Sequence, residues 1–190
     1  MAYRILSVTT AFLIVFTSPS WSQSQADSPI PTIPESQIEP RRLATPFEFV
    51  ATAAAASEFE IQSGELAMQK AVSEATKLFA ARTVEDHTSA QEALAAAGEA
   101  DGVDIADPSP DGEQLGLIQQ LEGVDGEEFD RLYVESQIYV HQRAIAVFRG
   151  YEEGDTNLAQ FAADTVPTLV EHYEMALALA GELGIGQTAQ

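Results

Sequence analysis

Apolar positions recur along this chain at alternating steps of three and four over four long stretches, the spacing of amphipathic helices. The plainest stretch is Ala75–Ala97. Its track is Phe79, Thr83, His87, Ala90, Leu94 and Ala97, with a histidine where a leucine is expected. Ahead of it, Thr45-Pro46-Phe47-Glu48 has the form of a capping box with proline at the first helical position. That start predicts a first long helix to about Val72, with Phe47, Val50, Ala54, Ile61, Met68 and Val72 as its apolar track. Beside this track run small residues: Ala53, Ser57, Gly64, Ala67 and Ala71. Glu60 is the one large, charged member of the small-residue track, and an isolated carboxylate there is costly unless paired or protonated.

Asp125-Gly126-Glu127-Glu128 is a second capping-box pattern and predicts a third long helix to about Glu153. Its core positions are Phe129, Tyr133, Val134, Ile138, His141, Ile145 and Phe148. Gly154-Asp155 predicts a tight turn, with Asp155 capping a fourth helix from Thr156 to about Leu183. That helix carries Leu158, Phe161, Thr165, Leu169, His172, Ala176, Leu179 and Leu183 on one track, and Pro167 is expected to kink it. Ser109-Pro110 predicts a short helix through about Leu121, inside the long connection between the second and third long helices. The aspartates of that connection, Asp101, Asp104, Asp107 and Asp111, lack the spacing of a calcium loop. No strand pattern is present. Short, long and short connections predict an all-α fold, a ferritin-like four-helix bundle over residues 45–184 with a long crossover.

The flanks read differently. Residues 1–22 have the form of a secretory signal, with Arg4 ahead of an apolar run from Ile5 to Phe16 and cleavage expected after Ser22 or Ala26. Residues 23–44 carry prolines 29, 31, 34 and 40 and predict a disordered linker, and residues 185–190 a flexible tail. The expected location is therefore outside the cytoplasm, periplasmic in a Gram-negative host, with no membrane span once the signal is removed.

Composition narrows the chemistry. Thirty acidic against nine basic residues give a formal charge of −21, which argues against nucleic acid as a partner. The absence of cysteine removes disulfides, thiol catalysis and iron–sulfur ligation. What remains is three histidines, His87, His141 and His172, each mid-helix on a core track. At 1.5 Å per residue, Glu60 and His87 lie at nearly one depth from the first hairpin turn, and His141 and His172 differ by roughly one helical turn from the second. Glu60, His87, His141 and His172 thus form one candidate layer, with one residue from each long helix. Three imidazoles and a carboxylate suit zinc, iron, manganese or copper, and Asp86, Asp130, Tyr133 and Gln137 are the candidate outer partners. The alternative, which the residues favour over a site, is a buried polar layer that only fixes helix register. Glu-x-x-His is missing before each histidine, so di-iron chemistry is not expected. Asp86 and His87 diverge by about 100° on a helix and do not form a dyad. No catalytic residue is assigned.

Several fragments in order carry a resemblance: Glu60-Ile61 with Gly64, Phe79-Ala80, Asp86-His87-Thr88, Phe129-Asp130, Tyr133, His141-Gln142, Pro167-Thr168-Leu169 and His172. Together they resemble the exported bacterial family catalogued as domain of unknown function 4142, whose members are often labelled outer-membrane proteins. The resemblance covers about Phe47 to Leu179 and implies a ferritin-like bundle, with no established reaction. Two functions are carried forward. One is a metal-binding exported bundle. The other is a non-enzymatic envelope or stress-related interaction module with a protein partner, whose His/Glu layer is structural. A small-ligand or redox enzyme using the bundle core ranks third.

Overall fold

In the computed structural model, which describes residues 33–104, 108–154 and 156–186, side-chain caps set most of the helix starts. Five α-helices are present among the described residues, and no strand: α1 (Pro46–Lys70), α2 (Glu74–Asp101), α3 (Gly112–Glu122), α4 (Gly126–Gly150) and α5 (Asn157–Glu182). Thr45 accepts from the Glu48 N–H at 3.1 Å, while Glu48 reaches back to the Ala44 N–H at 2.8 Å. Ser73 caps α2 through the Thr76 N–H, and Thr156 caps α5 through the Ala159 N–H. Asp155, expected to cap α5, lies outside the described residues.

Two starts differ from expectation. The short helix begins at Gly112 rather than near Pro110, because Asp111 and Gln114 form a reciprocal capping box. Asp125 stands at the N-cap of α4, but its side chain makes no cap there and pairs instead with Lys70 at 3.2 Å.

The four long helices form two antiparallel hairpins, α1–α2 and α4–α5, which pack so that α1 meets α4 and α2 meets α5. Asp101 at the end of α2 caps the start of α5, accepting from the Asn157 and Leu158 N–H groups. Lys70 at the end of α1 reaches the Leu121 and Glu122 carbonyls just ahead of α4. Hence α2 and α4 run in the same direction, and the long connection carrying α3 returns along the bundle. Pro167 sits inside α5, which continues on both sides of it.

The expected core face of the first helix is corrected. Phe47 and Val72 are 54% and 57% exposed, and Met68 is exposed as well. The buried face is instead Phe49, Val50, Ala53, Ala54, Ser57, Phe59, Glu60, Ser63, Gly64 and Ala67. The small-residue track wins because it lets α2 approach closely. A Cβ on Gly64 would lie 2.6 Å from Val84 Cγ2. The third long helix also ends early, at Gly150. Tyr151 leaves the helix and stacks on Phe49 with ring centroids 4.0 Å apart.

Residues 33–44, expected as part of a disordered linker, are docked along α4 and α5. Ile38 is buried in the main core. The Arg41 N–H donates to the Ala146 carbonyl at 2.7 Å, and Tyr173 donates its hydroxyl proton to the Ile33 carbonyl at 2.7 Å. Arg149 donates to the Glu35 carbonyl at 2.7 Å and pairs with its carboxylate. The prolines exclude helix here without excluding an extended, docked path. The expected signal over 1–22, the first part of the linker and the end of the tail lie outside the described residues. No helix among the described residues is long and apolar enough to cross a membrane.

Candidate metal centre

Each histidine reaches the bundle axis from a different helix: His87 from α2, His141 from α4 and His172 from α5. All three are buried, at 6%, 1% and 0% exposure. On α2 the neighbouring track position, Thr83, returns its hydroxyl to the Phe79 carbonyl at 3.0 Å and leaves the layer to the imidazole. The three rings face one another with centroids 5.4 to 5.8 Å apart. One nitrogen of each lies within 4.8 Å of the others.

The outward nitrogens fix the tautomers. His141 Nδ1 lies 2.9 Å from the Gln137 carbonyl, an acceptor only, so Nδ1 carries the proton. His172 Nε2 lies 2.9 Å from Asp86 Oδ2 and carries the proton for the same reason. Burial pushes the His141 and His172 pKa values down, although Asp86 partly resists this at His172. Both rings are therefore neutral, and their remaining nitrogens, His141 Nε2 and His172 Nδ1, are bare lone pairs 3.4 Å apart. Two lone pairs at this distance repel unless something electrophilic sits between them. Two imidazole nitrogens bound tetrahedrally to zinc stand roughly 3.3 Å apart. Burial, with the neighbouring His172, pushes the third ring, His87, down to about 3. Its Nδ1 faces Ser57 Oγ at 3.4 Å, and its Nε2 has no partner among the described residues.

The carboxylate of the expected layer takes a different place. Glu60 Oε1 lies 3.6 Å from His141 Nδ1, the nitrogen that faces away from His172. It stands behind His141 rather than beside the three converging nitrogens. Burial pushes Glu60 up to about 8, with the Gln137 amide opposing. At neutral pH this contact is therefore between two uncharged groups, not an ion pair.

Among the expected outer partners, Asp86 does touch the cluster, but through His172 of α5 and not His87. Burial pushes Asp86 up, but hydrogen bonds from Arg82, at 2.6 Å, and His172 hold it below the ordinary carboxylate range. Gln137 serves through its backbone carbonyl, and its side chain turns to Ser63 at 3.4 Å. Tyr133 is wholly buried beside Phe79 and Phe129. Burial, with Glu60 nearby, pushes its phenol well above 10. Asp130 is not at the cluster: it accepts from the Ser73 N–H at 2.9 Å and holds the α1–α2 turn. Ser57 was missed as a partner of His87. Its signal was its place on the small-residue track, one helical turn ahead of Glu60.

The family profile described as "Domain of unknown function (DUF4142)" matches residues 34–179. The chain belongs to this family. No curated protein and no solved structure matches it. The DUF4142 match includes the docked segment from Pro34 onward together with α1 to α4 and most of α5, so the family unit contains every residue of the cluster.

Two openings flank the layer within this DUF4142 unit. A cavity of about 360 Å³ between α1, α3 and α4 reaches Glu60, His87 and His141 at its inner end. A more open depression of about 400 Å³ between α2 and α5 is bordered by Asp86, Phe161 and Thr165.

Proposed function

We propose that this protein is a metal-binding helical bundle that works outside the cytoplasm and holds one divalent transition-metal ion through His87 Nε2, His141 Nε2 and His172 Nδ1. The observation that carries this reading is the pair of bare lone pairs 3.4 Å apart on His141 and His172. A carbonyl and a carboxylate orient the far nitrogens of these two rings, the arrangement that metal-ligating imidazoles use. All-imidazole ligation suits zinc, copper or iron, and manganese less well. Glu60 acts as the polar support behind His141. Export rests on the Arg4 and Ile5–Phe16 pattern. No chemical step is assigned, and the role is binding.

Metal analysis of the purified protein tests the reading. The native protein is expected to hold one ion per chain, and His87→Ala to lose it. Asp86→Asn removes the carboxylate that orients His172 and is expected to weaken affinity about 10- to 100-fold. Absence of stoichiometric metal, with no gain in thermal stability from added divalent ions, overturns the reading.

A second reading has its own observation. Ser57 and Asp86 tie His87 and His172 to neighbouring helices, which by itself fixes register. The layer is then structural, and the acidic chain serves as an envelope interaction module with a protein partner. Under that reading a chelator leaves the melting temperature unchanged, and crosslinking in intact cells recovers a partner. Under the metal reading the chelator lowers the melting temperature.

A further inference from the structure

The cavity between α1, α3 and α4 is built unlike an ordinary packing void. Its walls carry much apolar surface, from Ala51, Ala55, Leu117, Val140, Val147 and Phe148. Its inner end is polar and buried. There Glu60 Oε2 and His87 Nε2 have no hydrogen-bond partner among the described residues. Buried polar atoms left unsatisfied beside an open space call for something to fill it. Protein cores leave few voids larger than a water, so about 360 Å³ is space kept open. It falls at the small end of the range of ligand pockets.

Charge sets the ligand class. Arg41 and Arg143 line the cavity together with Asp111 and Glu113, and Asp111 is taken up in capping α3. Arg143 is committed to Glu113 and Tyr139, whereas the Arg41 guanidinium has no partner among the described residues. An ion held by three neutral imidazoles keeps its full charge in a low-dielectric core and has a coordination position left over. His87 and His141 both face this cavity, so the unused position is reached from it.

We propose that the cavity binds a small amphipathic carboxylate. The head meets the histidine-held ion between His87 and His141, and the hydrocarbon body lies along Ala51 and Ala55 of α1 and under Leu117 of α3. This inference rests on the metal reading above and adds the ligand class to it.

Cobalt(II) in place of the native ion gives visible bands that report its coordination. The purified protein, loaded with cobalt, is titrated with octanoate and with acetate. Octanoate is expected to change the bands saturably and to bind at least about tenfold more tightly than acetate, because its extra methylenes are buried. Ala55→Phe and, from the opposite wall, Leu117→Trp are expected to keep the cobalt stoichiometry and unliganded spectrum while abolishing the octanoate response. Cobalt bound with bands indifferent to octanoate overturns the pocket and leaves the metal reading standing. A response that survives both variants, or equal affinity for acetate, also overturns the pocket. Failure to bind cobalt removes the metal reading and the pocket with it.

Discussion

Glu60 is a carboxyl group in a place that does not hold a carboxylate, and its titration has a readable consequence. Its ordinary value near 4.5 is pushed up to about 8 by burial, while His87 moves from 6.5 down to about 3. In chelator, where no metal competes, the signs follow from which state holds more protons. Between pH 4.5 and 8 the folded state holds a proton on Glu60 that the unfolded chain has lost, so this term makes stability fall as pH rises. Between pH 3 and 6.5 the unfolded chain holds a proton on His87 that the folded state refuses, so this term makes stability fall as pH drops. Above pH 6.5 the Glu60 term acts without the His87 term. Unfolding in urea is expected to show a loss of about 2 kcal/mol from pH 6.5 to 8, absent in Glu60→Gln. A Glu60→Gln variant with the same pH slope as the parent would contradict the assignment. At the same scale the histidines were legible as a set, because each stands alone on a core track. Their partners were not. Asp86 sits beside His87 in sequence yet bonds His172, because adjacent helical residues point about 100° apart and Asp86 is turned toward α5.

Among the elements, the segment ahead of α1 departs furthest from its sequence reading. Prolines at 34 and 40 argue only against regular hydrogen-bonded structure. They leave the segment free to lie extended along α4, where Gly150 makes room for it. A Cβ at Gly150 would stand 2.1 Å from the Arg41 carbonyl oxygen, which no small adjustment relieves. Gly150→Ala is therefore expected to push Arg41 off the helix and break its bond to the Ala146 carbonyl. Trypsin then cleaves after Arg41 and Arg42 several-fold faster, while the far-ultraviolet circular dichroism of the bundle is unchanged. An unaltered cleavage rate would show that the segment is not held at Gly150. The start of α1 was the easiest to read, since Thr45 caps it through its own side chain; Ser73 and Thr156 cap the same way, though the sequence pointed to Asp155 ahead of α5. Asp125 shows the limit: the capping pattern is present, but Lys70 on another helix takes its carboxylate.

For the whole molecule, thirty acidic residues against nine basic ones set a repulsion that favours expansion. Exposed pairs such as Arg42 with Glu152 offset little of it, since surface ion pairs contribute modestly. Salt screens both effects, and the excess repulsion is the larger. The melting temperature is expected to rise between about 0.02 M and 0.5 M sodium chloride, as the screening length shortens from tens of ångströms to a few. A fall would mean that specific ion pairs outweigh the net charge. By itself the sequence determined four long helices, their approximate ends, the long return between the hairpins and the shared depth of the histidines. These depend on local backbone chemistry and a fixed rise per residue. Only the tertiary structure decided how each helix is turned about its own axis. On alanine-rich α1 two faces compete, and close packing at Gly64 selected the one that carries the small residues over Phe47 and Met68. The same rotations decided that Glu60 stands behind His141, and that two bare imidazole nitrogens meet at 3.4 Å, because a side chain's direction is set by the surface its helix packs on.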